Sequence, residues 1–288
     1  MPTPTYTPIP IPSLGTHQWE PVPVLILLDS TGGDGSSPYP FPPQLILYAN
    51  GALFVTHWRD SWQLWSTTLD QPQICALLNT IEQTGFFTYD PSTYGVTQRS
   101  APVDGSPIYH IEVNAWQSNQ VDLYGLAYFI REFGDEKPLP TSCPSCPPYP
   151  VIPTSLRDTY LLLSEYSPDE MEVHQPSRLG IWTGSSSEAV KEATTWPLKT
   201  PRLADLYSQS TTKENWTEPS AILEGEDAET IYLLFKQSIE PFGLGFTEGE
   251  HTYEVFARPL FPDEFTDEPQ TSVPTLQCQP SDGILAIP

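Results

Sequence analysis

Basic residues are scarce in this chain. Twelve Lys and Arg face 36 Asp and Glu, so the formal net charge is −24. That balance excludes non-specific nucleic-acid binding, which needs a basic surface to release counterions from phosphates. It disfavours anionic membranes for the same reason. Charge of either sign is also sparse, at 17% of 288 residues against roughly 25% in an average protein. A salt-adapted surface, dense in acids, is therefore not what this composition describes. Methionine is down to 2 residues and cysteine to 4. No apolar run approaches the ~18 residues that span a bilayer. The longest, residues 22–28, is strand-sized and broken by Pro23. Nor does a basic region followed by an apolar one open the chain as in a secretory leader, because Met1 runs straight into Pro-Thr-Pro-Thr-Tyr-Thr-Pro.

Proline and aromatic side chains are abundant, with 34 Pro, 14 Tyr, 12 Phe and 8 Trp. An apolar fraction of 38% is enough for ordinary cores, so wholesale disorder is excluded. The solvated positions fall to Ser, Thr, Gln, Asn and Pro. With few Lys, that pattern points to an extracytoplasmic protein, at the cell surface or in the periplasm.

Proline divides the chain into blocks. Residues 1–20 form a Pro/Thr-rich tether, extended and unable to pack. Residues 21–137 form a first α+β unit. Its strands are expected at 22–28, 44–48, 52–56 and 63–67, with Asn50-Gly51 as a hairpin turn. Asp70 is placed to cap a helix with Pro72 in its first turn. Ile74, Leu77, Leu78 and Ile81 supply the helical period, and Gly85 the stop. Alternation in Tyr109-His-Ile-Glu-Val-Asn-Ala predicts a strand that returns through a turn at 117–120 to 121–124. Residues 138–153 are too rich in proline for a helix or central strand. They form a linker containing Cys143-Pro-Ser-Cys146. A second α+β unit is expected over 154–265, with helices near 155–166, after Pro201 and at 227–236, and a final hairpin over 245–261. An acidic Pro-rich tail closes the chain at 266–288. The fold class is α+β, two small domains each with an antiparallel sheet packed by amphipathic helices. Ile74-x-x-Leu77-Leu78 with Gly85-Phe86 echoes Ile231-x-x-Leu234-Phe235 with Gly243-x-Gly-Phe246. The halves are either diverged copies of one unit or two ordinary amphipathic helices ending in Gly.

Residues 20–130 resemble a group of uncharacterised bacterial secreted lipoproteins. The resemblance rests on an apolar strand ending in a Gly-Gly loop (25–33) and on Tyr48-Ala-Asn50-Gly51, where the group has Tyr-x-Asp-Gly. It continues through a Leu-rich helix closing on Gly85-Phe86-Phe87 and then Asp104-Gly105. It implies export and a lipid anchor on a cysteine upstream of this chain, and no activity.

Several residue groups invite chemistry. His110-Ile-Glu112 followed by Cys143-Pro-Ser-Cys146 approximates a zinc-deaminase signature. However, Ser142 stands where that signature has Pro, and Pro147-Pro148 prevent a helix at the cysteines. A redox role for that pair fails on the same missing helix. Cys75, Cys143, Cys146 and Cys278 are disulfide candidates with three possible pairings, and a bridge from tail or linker to Cys75 would staple loose chain. A four-cysteine zinc site lacks its second Cys-x-x-Cys. Glu224, Glu226, Asp227 and Glu229 are a candidate weak calcium site. They equally favour the positive end of the following helix. Asp29 and Asp34 in the Gly-rich loop are a second weak calcium candidate. No other cofactor is indicated. Trp58, Trp62, Trp65 and Trp116 are candidate contacts for a protein or glycan partner, or the cover of an open sheet face. Histidines 17, 57, 110, 174 and 251 show no metal-ligand spacing, and no nucleophile motif is present.

The expected function is a non-enzymatic extracytoplasmic binding or accessory protein. The alternatives are a structural subunit of a surface assembly and a carboxylate-dependent hydrolase in which the acids at 224–229 and 248–254 converge. The charge is uneven: −9 over residues 1–137 (13 acids, 4 bases) and −15 over 138–288 (23 acids, 8 bases). If the protein binds a cation or a basic partner, the second half is the place to look first.

Overall fold

Asn50-Gly51 makes the turn that its sequence dictates. Gly51 has φ 89°, its N–H donates to the Tyr48 carbonyl at 2.9 Å, and the Asn50 carboxamide oxygen accepts from Ala52 N–H at 3.0 Å. A Cβ on Gly51 would also run into the Leu69 carbonyl, so only glycine fits. This hairpin joins β2 (Leu45–Tyr48) to β3 (Ala52–His57). The computed structural model describes residues 24–31, 42–57, 63–90, 107–127, 130, 152–185, 193–210, 218–237, 243–261 and 278.

The first sheet has seven strands in the order β6-β5-β1-β2-β3-β4-β7. Its other members are β1 (Val24–Thr31), β4 (Gln63–Thr68), β5 (Ile108–Asn114), β6 (Ser118–Tyr124) and β7 (Glu172–Val173). All described pairings in it are antiparallel. Helix α1 (Gln71–Gln83) starts as expected. Gln73 N–H donates to the Asp70 carboxylate at 2.9 Å, and Asp70 N–H donates back to the Gln73 side chain at 2.8 Å. This reciprocal cap satisfies two N–H groups that the helix cannot. Ile74, Leu77, Leu78 and Ile81 are buried, and Gly85 at φ 83° ends the element.

Helix α2 (Thr154–Ser164) follows the Pro-rich linker but packs on the first sheet. Leu156 and Leu163 join the core formed by Ile26, Leu28, Leu45, Leu53 and α1. The hydroxyls of Thr159 and Thr84 lie 2.6 Å apart. With β7 paired to β4, the first sheet takes in residues as far as 173, beyond the linker expected at 138–153. Proline breaks local hydrogen bonding, but it does not stop the next helix from burying its apolar face on what preceded it.

The second sheet has the order β10-β8-β12-β11-β9. It contains β8 (Arg178–Ser185), β9 (Ala193–Thr195), β10 (Ala221–Glu224), β11 (Leu244–Glu248) and β12 (His251–Pro259), with β9 parallel to β11. Helices α3 (Leu203–Ser210) and α4 (Gly225–Gln237) bury Leu203, Leu206, Ile231 and Phe235 against Ile181, Phe246 and Val255. The α+β class with two largely antiparallel sheets is thus as the sequence predicts. The strand orders of the two halves differ. After α1, the first strand of the hairpin (β5) joins β1; after α4, it is the second (β12) that joins β8.

Cys75 on α1 is bonded to Cys278, 203 residues away. Cys278 is buried in the first core. Cys143 and Cys146 lie outside the described residues. Among those residues, no helix is long and apolar enough to cross a membrane.

Candidate functional site

Period-two alternation puts Ile111 and Val113 of β5 into the core and turns His110, Glu112 and Asn114 to the opposite face. Register then sets their neighbours. His110 stands between Asp29 on β1 and Asp122 on β6, and Glu112 between Leu27 and Gln120. His110 Nδ1 lies 2.7 Å from the Asp122 carboxylate, and Nε2 lies 3.5 Å from Glu112. Asn114 donates to Glu112 at 2.7 Å and to the Val24 carbonyl at 3.1 Å.

These contacts push the His110 pKa up to about 9, with the Glu112 hydrogen bond contributing most, partial burial opposing, and Asp122 adding to the rise. Asp122 is the nearer acid but contributes less, because its side chain is 66% exposed and screened by water, whereas that of Glu112 is 22% exposed. In return His110 holds the Glu112 carboxyl below its usual range, helped by Asn114 and opposed by burial. The imidazolium therefore persists at neutral pH with both nitrogens engaged. In this arrangement it has no lone pair to offer a metal or a substrate proton. His110 and Glu112 pair with each other, and Cys143 and Cys146, the other half of the deaminase-like pattern, lie outside the described residues.

Farther along the same face lies an apolar patch of Ile46, Tyr48, Phe54 and Leu64, joined by Phe261 from the chain just after β12. Phe261 meets Phe54 edge-on at 5.5 Å. His174, just after β7, lies edge-on to Phe54 at 5.1 Å. Its backbone N–H donates to the Leu64 carbonyl at 2.8 Å, and its Nδ1 is 3.2 Å from the Ser66 hydroxyl. Burial pushes the His174 pKa down. Tyr232 of α4 comes up to the Leu64 backbone, and burial pushes its hydroxyl pKa up.

The other sequence candidates are dispersed. Trp65 on β4 sits opposite Val55 and Val173. Trp116, in the β5–β6 turn, packs on Phe87 at 5.6 Å. Four strand spacings, about 19 Å, separate their strands, so these two do not form one aromatic patch; Trp58 and Trp62 lie outside the described residues. Glu224 pairs with Arg178 at 3.5 Å. Glu226, Asp227 and Glu229 are exposed on the first turns of α4, where negative charge favours the helix dipole. Glu248 does not join them. Its carboxylate accepts from the N–H groups of Leu203 and Ala204 at 3.3 and 3.2 Å, capping α3. The acids of 224–229 and Glu248 therefore serve two different helix starts. Among the described residues, no group of three or more His, Cys, Asp or Glu is placed to hold a metal ion. Asp29 accepts from Ser30 N–H at 2.7 Å, and Asp34 lies outside the described residues.

Sequence reading named His110 and Glu112 for a motif that they do not serve, and it missed Asp122 and His174. The signal for Asp122 was its place on the returning arm of a hairpin, opposite His110. For His174 no local signal exists, because the ring's neighbours come from β3 and β4, distant in sequence. No protein-family model, curated protein or solved structure matches this chain.

Proposed function

We propose that the chain is a non-enzymatic extracytoplasmic binding or accessory protein, tethered at the cell surface through its Pro/Thr-rich first twenty residues. The observation that carries this reading is the Cys75–Cys278 bridge between elements 203 residues apart. Such structural disulfides persist in oxidising compartments and are rare where thiols are kept reduced. The Lys-poor, acidic surface supports the same compartment. The histidine clamp supports a non-catalytic role, since both of its nitrogens are engaged. A protein or glycan partner fits a surface that nucleic acid would avoid.

The test is peptide mapping of protein isolated from its native host, alkylated without reduction, together with fractionation of that host. The reading requires a Cys75–Cys278 cross-linked peptide and recovery outside the cytoplasm. Alkylated Cys75 and Cys278 in a cytoplasmic fraction would overturn it.

A further inference from the structure

Of the five asparagines in the chain, only Asn50 is followed by glycine. The order matters chemically, because the backbone nitrogen after an asparagine can attack the side-chain carboxamide. Glycine, with no Cβ, leaves that nitrogen unhindered. Asn50 is exposed in the turn between β2 and β3. Its Oδ1 accepts from the Ala52 N–H at 3.0 Å, whereas its Nδ2 has no partner among the described residues. The other described asparagines are arranged differently. Asn114 Nδ2 donates to Glu112 and to the Val24 carbonyl, and Asn119 Nδ2 to the Phe86 and Tyr89 carbonyls. Asn79 lies within α1 and is followed by the β-branched Thr80.

The Ala52 N–H donates to the atom on which charge would develop. When the Gly51 nitrogen gives up its proton to water and bonds to Asn50 Cγ, Oδ1 becomes an oxyanion. A donor already in place there stabilises it. The Cγ–Nδ2 bond then breaks and ammonia leaves, taking a proton from water, so that a cyclic imide closes over Asn50 and Gly51. Water opens that ring in either of two ways. Cleaving its Cγ–N bond restores the backbone and leaves aspartate. Cleaving the bond between the Gly51 nitrogen and the Asn50 backbone carbonyl leaves isoaspartate, whose main chain runs through Cβ and Cγ. Water is the co-reactant, and nothing is oxidised or reduced. The native turn resists the first step, since the Gly51 N–H is held by the Tyr48 carbonyl at 2.9 Å.

We propose that Asn50 is a self-modification site, converted through a cyclic imide with Gly51 into aspartate and isoaspartate, and that isoaspartate there unties the hairpin from the start of α1. The two products differ in what they disturb. Aspartate keeps an oxygen for the Ala52 N–H. Isoaspartate adds a carbon to the main chain just before Gly51, where there is no slack, because a Cβ on Gly51 would already meet the Leu69 carbonyl. The Gly51 carbonyl accepts from the Leu69 N–H at 2.8 Å. Leu69 is buried in the first core, immediately before the Asp70 cap of α1. Displacing Gly51 therefore breaks its bond to Tyr48 and its tie to Leu69 together.

Prolonged incubation of the full chain at neutral pH, followed by peptide mapping and separation of the isomers, tests this. The expected result is conversion at Asn50 to both products, with Asn79, Asn114 and Asn119 unchanged. An Asn50→Gln variant, which would have to close a larger ring, should stay unconverted. In the isolated isoaspartate fraction, hydrogen-exchange protection at the Gly51 and Leu69 amides should fall several-fold, with no change at Val255 in the second sheet. The aspartate fraction and an Asn50→Asp variant should keep that protection. Asn50 that survives an incubation in which the urea-unfolded chain converts overturns the proposal, as does equal conversion at the other three asparagines. An isoaspartate fraction protected at Leu69 like the unmodified chain, or one that loses protection equally at Val255, overturns the structural consequence.

Discussion

At the β5–β6 end of the first sheet's outer face, His110 lies between Asp122 and Glu112, which favour its charged form. At the β4–β7 end of the same face, His174 rests on Phe54, and burial favours its neutral form. The side chain is the same and so is its unperturbed pKa near 6.5. What differs is who covers it. Beside His110 the strands bring two carboxylates, and the charged form is held with its pKa pushed up to about 9. Beside His174 stand Phe54 and the Ser66 hydroxyl, and burial disfavours the charge. One pleated face thus ends in an ionic clamp at one side and an apolar seam at the other.

The change with the largest expected effect acts on neither end selectively. Cys75→Ser with Cys278→Ser frees a loop of 203 residues, and chain entropy assigns such a crosslink about 5 kcal/mol. Urea unfolding should show that loss. The surviving folded protein should keep both histidines as they are, because the crosslink acts mainly on the unfolded chain. Changed histidine titrations in the folded variant would mean that the staple shapes the face itself.

Phe261→Ala breaks the apolar end. Truncating a buried phenylalanine costs about 3–5 kcal/mol, and here it also uncovers the edge-on ring of Phe54. A loss under about 1 kcal/mol would show that Phe261 does not seal the seam.

His110→Ala breaks the ionic end, at a cost of about 1–2 kcal/mol after allowing for the exposure of its partners. Its pH dependence is diagnostic. The raised His110 pKa contributes stability that is fully present below about pH 6.5 and is lost as pH rises through about 9. The lowered Glu112 pKa expresses the same pair from the acid side, with a contribution present above the ordinary glutamate value and lost as pH falls below it. The wild-type advantage over His110→Ala should therefore peak in mild acid and fade toward pH 10. An advantage that does not vary with pH would assign the loss to packing.

The smallest effect is expected for Asp122→Asn, a few tenths of a kcal/mol, since water screens this acid. Glu112→Gln should cost more despite the longer contact. The reverse order in chemical denaturation would make Asp122 the principal partner.

How much of this the sequence revealed depended on how local each feature is. Helix α1 was legible because its cap, period and stop all lie between Asp70 and Gly85. The β2–β3 hairpin was legible from Asn50-Gly51. The destination of α2 was not, since an apolar stripe through Leu156 and Leu163 does not say which sheet it will cover. The Pro-rich run before it suggested a break that packing ignores. The alternation of His110 and Glu112 was visible, whereas their partner Asp122 required the β5–β6 register. A Cys75 staple to tail or linker was foreseeable, but the choice of Cys278 required the fold. His174 depended on packing against β3 and β4, which no nearby residue announces. The tryptophans around residues 58–65 suggested a patch with Trp116, and strand order places Trp65 and Trp116 far apart.

The most direct measurement is an NMR titration of the histidine imidazoles in the intact protein. The account predicts that His110 keeps its imidazolium shifts until about pH 9, while His174 stays neutral to below pH 6.5. Both rings titrating together near pH 6.5 would contradict it, showing that neither the carboxylate clamp nor the apolar seam holds in solution.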